Sequence, residues 1–216
     1  MTDEPYPGRL ITLDGIDGVG KSTQIDRLRT HLEKSGRGVV SVRDPGGTEI
    51  GKRLREILLD SQIRMHRRTE AMLFMASRCE LVETVILPAL GSGQIVLADR
   101  FLLSNVVYQS VDGGEPPQRL WELGRLANRD LRPDLTLLLD MPAAIAMRRI
   151  DRPPDRMEAR GVEYLESVRQ AFLRELPHSA ARTVRIDAGQ DVEWVAREVR
   201  RAVDAFLASP ASVRGR

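Results

Sequence analysis

Lysine is nearly missing from this 216-residue sequence: of 33 basic residues only Lys21, Lys34 and Lys52 are lysines, and the rest are arginines. A lysine at a motif position therefore stands out from its background. Cysteine is scarcer still. The single Cys79 excludes an intramolecular disulfide framework, and with no histidine in sequence reach it reads as a small buried hydrophobe. The three histidines lack zinc-ligand spacing, and His66, within RMHRR, reads as part of a solvated basic turn. Aromatic residues make up 4%, too few for a surface that stacks single-stranded nucleic acid. Neither sign of charge dominates. A formal net charge of +2 gives no reason to expect a nucleic-acid or membrane-surface partner. No apolar run approaches the roughly 18 residues of a membrane span. The segment MTDEPYPGRL holds two acids and no apolar stretch of the kind an export signal needs, so a cytoplasmic protein is expected.

What is present fits one globular α/β domain over residues 1–216, with 42% hydrophobic and 30% charged residues. Apolar runs at Arg9–Asp14, Val39–Val42, Ile95–Ala98, Leu135–Leu139 and Thr183–Ile186 read as strands. Helical patterns lie between them: from the glycine-rich GIDGVGKST to about Lys34, then Glu49–Leu59, Thr69–Leu90, Leu103–Tyr108, Pro117–Asn128, Ala143–Arg149 and Val162–Leu176, with a last one at Val192–Leu207. The alternation predicts a five-stranded parallel sheet covered by helices on both faces. The polar, proline-broken stretch at about 149–160 has the composition of a mobile lid, and the tail at about 209–216 is expected to fray.

Gly15–Ser22, GIDGVGKS, matches the phosphate-binding P-loop pattern GxxxxGK[ST] and lies between a predicted strand and a predicted helix, the context the motif requires. Its glycines let backbone N–H groups turn inward around a phosphate, and the helix start adds its positive dipole end. Lys21 would reach the β- and γ-phosphates, and the Ser22 hydroxyl would ligate Mg²⁺. The glycine spacing does not fit a dinucleotide fingerprint. No NKxD base-reading motif is present, which argues against a GTPase. Instead arginines recur at loop positions: Arg43, Arg55, Arg78, Arg100 and the group Arg149, Arg152 and Arg156. Phosphoryl transfer between two anions needs such clamps.

The order GIDGVGKST, RDPGGT, LFMASR, DRFLLSNVVYQ, RPDLTLLLD and DRME resembles that of the bacterial thymidylate kinases, over about Arg9–Ala188. The resemblance implies a P-loop NTPase fold and ATP-dependent phosphorylation of dTMP, with Mg²⁺ as cofactor and a homodimer as the assembly. It implies that Gly15, Asp17, Gly18, Val19, Gly20 and Thr23 join Lys21 and Ser22 around ATP, with Arg148 nearby. On the acceptor it implies that Arg100 holds the phosphate, Asp17 reaches the sugar, Phe74 stacks on thymine, and Arg78 bonds a base oxygen. Asn105 would face the base edge and Tyr108 crowd the sugar 2′ position. Arg43, Pro45, Arg55, Ser104 and Gln109 would complete that pocket, and Asp99 would join Ser22 at the metal. Taken singly, Phe74 and Tyr108 read as core aromatics; their spacing to Arg78 and Arg100 favours the site. Gly18 stands where one subgroup has arginine, so Lys21 and Arg100 would be joined in catalysis by Arg149, Arg152 and Arg156 from the lid. Asp44 departs from the family's usual glutamate, Leu102-Leu103 replace common polar residues, and Ser110 replaces a frequent glycine. A kinase for another nucleotide or a deoxynucleoside, or a P-loop regulatory switch, are the alternative readings. The length of Thr69–Leu90 that is apolar on more than one face would serve the core and a second subunit.

Overall fold

The computed structural model describes residues 6–209 apart from 61, 152 and 154. The apolar segments form strands β1 (Arg9–Asp14), β2 (Val39–Arg43), β3 (Ile95–Asp99), β4 (Leu135–Asp140) and β5 (Arg182–Asp187). All pair in parallel, in the order β2-β3-β1-β4-β5. The three central strands are buried along nearly their whole length and the two edge strands only in part. This is why the central strands read as unbroken apolar runs.

The helices are α1 (Lys21–Lys34), α2 (Glu49–Leu59), α3 (Arg67–Leu81), α4 (Leu87–Gly91), α5 (Leu102–Ser110), α6 (Pro117–Asn128), α7 (Ala143–Met147), α8 (Val162–Ser179) and α9 (Val192–Ala208). The two-residue period of β1 and β3 divides the core. Ile11, Leu13, Ile95 and Leu97 face α1, α8 and α9, whose Leu28, Leu32, Phe172 and Val199 meet them. Leu10, Val96 and Ala98 face the other way, toward Leu81 of α3, Leu90 of α4 and Val106 of α5. The Leu102-Leu103 pair is buried, and Leu102 packs against the bare Cα of Gly124 in α6. Apolar residues there answer to packing.

The expected long helix at Thr69–Leu90 has a π turn, Val82–Ile86, between α3 and α4. Pro88 explains it: proline has no N–H and its ring crowds the carbonyl four residues back. The chain widens so that Leu87 N–H donates to Val82 O, five residues away. α7 ends at Met147, two residues short of its expected end.

After β3 the chain crosses from one side of β1 to the other. The crevice at the carboxyl ends of β1 and β3 is thus the place where an open parallel sheet accepts a ligand. Asp14, the P-loop, Asp99 and Arg100 all lie there.

Candidate active site

β1 delivers the chain into the P-loop, where Gly15, Gly18 and Gly20 take φ values of 141°, 83° and 91°. Gly18 is held to glycine twice over, since a Cβ on it would lie 2.1 Å from the Ala146 carbonyl oxygen of α7. Gly20 starts α1 without any side-chain cap, and no acid occupies the first helical turn. The opening N–H groups therefore remain available to an anion. Lys21 is buried, and its Nζ donates to the Gly15 and Ile16 carbonyls at 3.1 and 2.8 Å. Burial, aided by the Arg100 charge, pulls its pKa down to about 8.

Across the P-loop, β3 ends in Asp99, and the Ser22 hydroxyl donates to its Oδ2 at 2.9 Å. Arg43 Nη2 reaches the same carboxylate at 3.2 Å. A hydroxyl and a carboxylate placed together beside a phosphate loop are hard oxygen donors of the kind Mg²⁺ takes. A second acidic group, Asp17, Asp155 and Glu158, lies close by. There Asp155 and Glu158 cap one turn: Asp155 Oδ1 accepts from Glu158 N at 3.0 Å, and Glu158 Oε2 accepts from Asp155 N at 2.9 Å.

Arg100 has a left-handed φ of 71°, rare outside glycine, and four contacts hold it. Its Nη1 donates to Gly15 O at 2.8 Å and Ser104 Oγ at 3.0 Å, and its Nη2 to Asp17 Oδ1 at 2.8 Å and Tyr108 Oη at 3.3 Å. Burial opposes its charge, but Asp17, Tyr108 and Asp99 keep its pKa well above the ordinary value. The pKa of Arg55 is lowered, first by burial and then by the like charges of Arg43 and Arg100. Three guanidiniums thus converge where only anions relieve them.

Two cavities meet at this point. One is lined by the P-loop residues Gly18, Gly20, Lys21, Ser22 and Thr23 with Arg43, Asp99 and Arg149. The other is lined by Pro45, Phe74, Arg78, Ser104, Asn105, Tyr108 and Gln109. Asp17, Arg55, Leu59, Arg100 and Asp155 line both. In the second cavity Arg78 is almost fully buried and pairs with Asp44 at 2.6 Å, while its Nη1 donates to Asn105 Oδ1 at 3.0 Å. Burial raises the Asp44 pKa against the pull of Arg78.

Residues 13–199 match the family model described as "Thymidylate kinase". The chain is 59% identical, over 202 residues, to a protein named thymidylate kinase from Rhodopirellula baltica, covering 94% of this chain and 82% of that one. It is 42% identical over 208 residues to one so named from Clavibacter sepedonicus, covering 95% and 99%. Another from Caldanaerobacter subterraneus subsp. tengcongensis is 39% identical over 201 residues, covering 93% and 97%. This chain belongs to the thymidylate kinase family.

Thymidylate kinases are nucleoside-monophosphate kinases, and most of the residues expected from the sequence fall together around the two cavities. Gly15 and Val19 are the exceptions within the P-loop: both are buried and line neither cavity, and Val19 packs in the core. Arg43, expected at the acceptor, lines only the phosphate cavity. Arg148 caps the end of α7 with an exposed side chain and lines neither cavity. Among the described lid arginines, Arg149 lines the phosphate cavity and Arg156 does not; Arg149 Nη1 donates to Ala188 O at 3.1 Å. Arg152 lies outside the described residues. Arg156 turns to the acceptor side, to Leu58 O at 2.9 Å and Glu70 at 2.6 Å, because the buried Glu70 carboxylate needs countercharge.

One other expectation is corrected. Cys79 is exposed, since it shares the outward stripe of α3 with Met72 and Ala76 while Met75 and Arg78 turn inward. His66 is exposed, as a solvated basic turn requires, and its Nδ1 also accepts from Arg68 N at 3.2 Å and caps α3. Asp14 and Glu70, which no motif singles out, also support the site. Asp14 accepts from Ser104 Oγ at 2.6 Å, under Arg100, and burial raises its pKa. Glu70 was legible in principle, being one helical turn before Phe74 and two before Arg78.

Proposed function

We propose that this protein transfers the γ-phosphoryl group of ATP to dTMP, yielding dTDP and ADP for DNA precursor synthesis. The observation that carries this reading is the sharing of Asp17, Arg55 and Arg100 between a P-loop cavity and a base-sized pocket. Donor and acceptor phosphates would meet at that partition.

An oxygen of the acceptor phosphate attacks the γ-phosphorus in line, the bond to the β-bridging oxygen breaks, and ADP leaves with the electron pair. The acceptor is already an anion, so no strong base is needed. Lys21 and the first N–H groups of α1 hold the donor phosphates. Ser22 and Asp99 would hold Mg²⁺, which when bound offsets donor-phosphate charge. Arg100 orients the acceptor phosphate, Arg43 and Arg55 add positive field, and Arg149 with Arg152 covers the transferring group from the lid. Phe74 stacks on the base, Arg78 and Asn105 meet its carbonyl and N–H edge, and Asp17 reaches the sugar. Tyr108 crowds the 2′ position, with Pro45, Ser104 and Gln109 shaping the rest of the pocket.

Among the described residues no helix is long and apolar enough to cross a membrane. The exposed stripe Met72, Ala76, Cys79 and Glu83 on α3 and its extension is the face proposed for homodimerisation, and sedimentation at twice the chain mass tests it. For the reaction, ADP release is measured with and without dTMP. Release that depends on dTMP and yields dTDP is expected; slow hydrolysis indifferent to dTMP would mark a regulatory switch.

A further inference from the structure

The DRME segment, Asp155–Glu158, lies in the stretch whose composition suggests a mobile lid, yet it is fastened at three points. The reciprocal cap between Asp155 and Glu158 closes the turn on itself. Met157 is buried in the main hydrophobic cluster. Arg156 bridges to two other elements, with Nε donating to Leu58 O at the end of α2 and Nη2 lying 2.6 Å from Glu70 Oε2 on α3. Met157 lines the base-binding cavity alone, and Asp155, at the start of the turn, lines both cavities.

Glu70 is also the end of a buried polar chain that begins at Arg78. Arg78 can only donate, so the Asn105 atom at 3.0 Å is its oxygen. Asn105 Nδ2 then donates to Gln109 Oε1, and Gln109 Nε2 donates to Glu70 Oε1 at 2.7 Å. A donor-only guanidinium at one end and a carboxylate at the other leave both amides one fully bonded orientation. Arg67 Nη1 braces the same carboxylate at 3.1 Å. Glu70 therefore joins the base-reading side chains to the DRME turn.

We propose that Glu70 and Arg156 are positioning residues for the acceptor: their ion pair fixes the DRME turn as a wall of the dTMP pocket, and Arg156 takes no part in clamping the transferred phosphoryl group. This rests on the dTMP kinase reading above. The motion expected of the lid is then confined to the residues before Asp155.

The test is steady-state kinetics of Arg156→Ala, Glu70→Gln and the double variant in the full chain, with dTMP and dCMP as acceptors. A positioning role raises KM for dTMP about tenfold in each single variant, while kcat and KM for ATP stay within about threefold. The double variant should be little worse than the poorer single one, because both break one unit. Glu70→Gln should also lower the dTMP-over-dCMP preference, which a general loss of stability would leave alone. A fall of about thirtyfold or more in kcat of Arg156→Ala with KM for dTMP unchanged would make Arg156 a transfer arginine and overturn the proposal. Additive effects of the two substitutions would also overturn it. Should Glu70→Gln fail to fold, the kcat–KM split of Arg156→Ala decides alone. A wild-type enzyme that does not phosphorylate dTMP would instead overturn the functional reading itself, and the proposal with it.

Discussion

Lys21 is 7% exposed and bonded to two carbonyls of its own loop, so the chain holds a cation ready before any phosphate arrives. Desolvation makes this costly, which is why its pKa falls to about 8. A phosphate beside the ammonium favours the charged form and raises that pKa again. The sign follows: ATP binding at pH 9 should be accompanied by proton uptake at Lys21, and at pH 6.5 that uptake should vanish because Lys21 is already protonated. Calorimetry in buffers of different ionisation enthalpy reads this directly, and Lys21→Ala should abolish the uptake. The same substitution should lower kcat by about 10²–10³-fold, since it removes a preplaced donor from developing charge. Its melting temperature should stay near wild type, as removal of a desolvated cation relieves a cost; near-normal kcat would contradict the P-loop role. Residues of this kind were legible because motif spacing alone places Lys21 and Ser22. The pairing of Glu70 with Arg156 was not legible, because it arises from a contact 86 positions apart in sequence between helix and loop.

The elements explain why this P-loop has no arginine of its own. α7 packs so closely on Gly18 that even a Cβ would meet the Ala146 carbonyl at 2.1 Å, and φ there is left-handed. Gly18→Ala should therefore destabilise the fold by about 1–3 kcal/mol. At about 2–4 °C per kcal/mol for a domain of this size, a thermal melt resolves the change. KM for ATP should rise alongside it, and an unchanged melt and KM would show that α7 gives way freely. Strand positions were readable from apolar runs bounded by turns, and their limits agree with the structure to within one residue at each end. The π turn at Val82–Ile86 escaped because periodicity alone does not reveal how a helix accommodates Pro88. The lid was half readable: its prolines mark irregular chain, but Met157 and the Asp155–Glu158 cap pin its second half.

For the whole molecule, crossing over at β1 places the P-loop and the DR segment on one crevice and leaves α3 and α5 to build the base pocket. The order of elements made the fold readable. The orientation of individual arginines depended on tertiary charge balance and was not. Specificity is a property of the assembled pocket: on the proposed reading, stacking on Phe74 would tolerate any base, so selection would fall to Arg78, Asn105 and Tyr108. The Arg78–Asn105 pair matches a carbonyl beside an N–H, which thymine and uracil offer and cytosine reverses. One methyl separates dTMP from dUMP, worth about 10–200-fold at most. Tyr108 should make a 2′-hydroxyl costly. The most direct measurement is therefore kcat/KM for a panel of monophosphates at saturating ATP. The account requires dTMP first, dUMP second, UMP and dCMP well behind, and purine monophosphates inactive; dCMP or dGMP outrunning dTMP would contradict it.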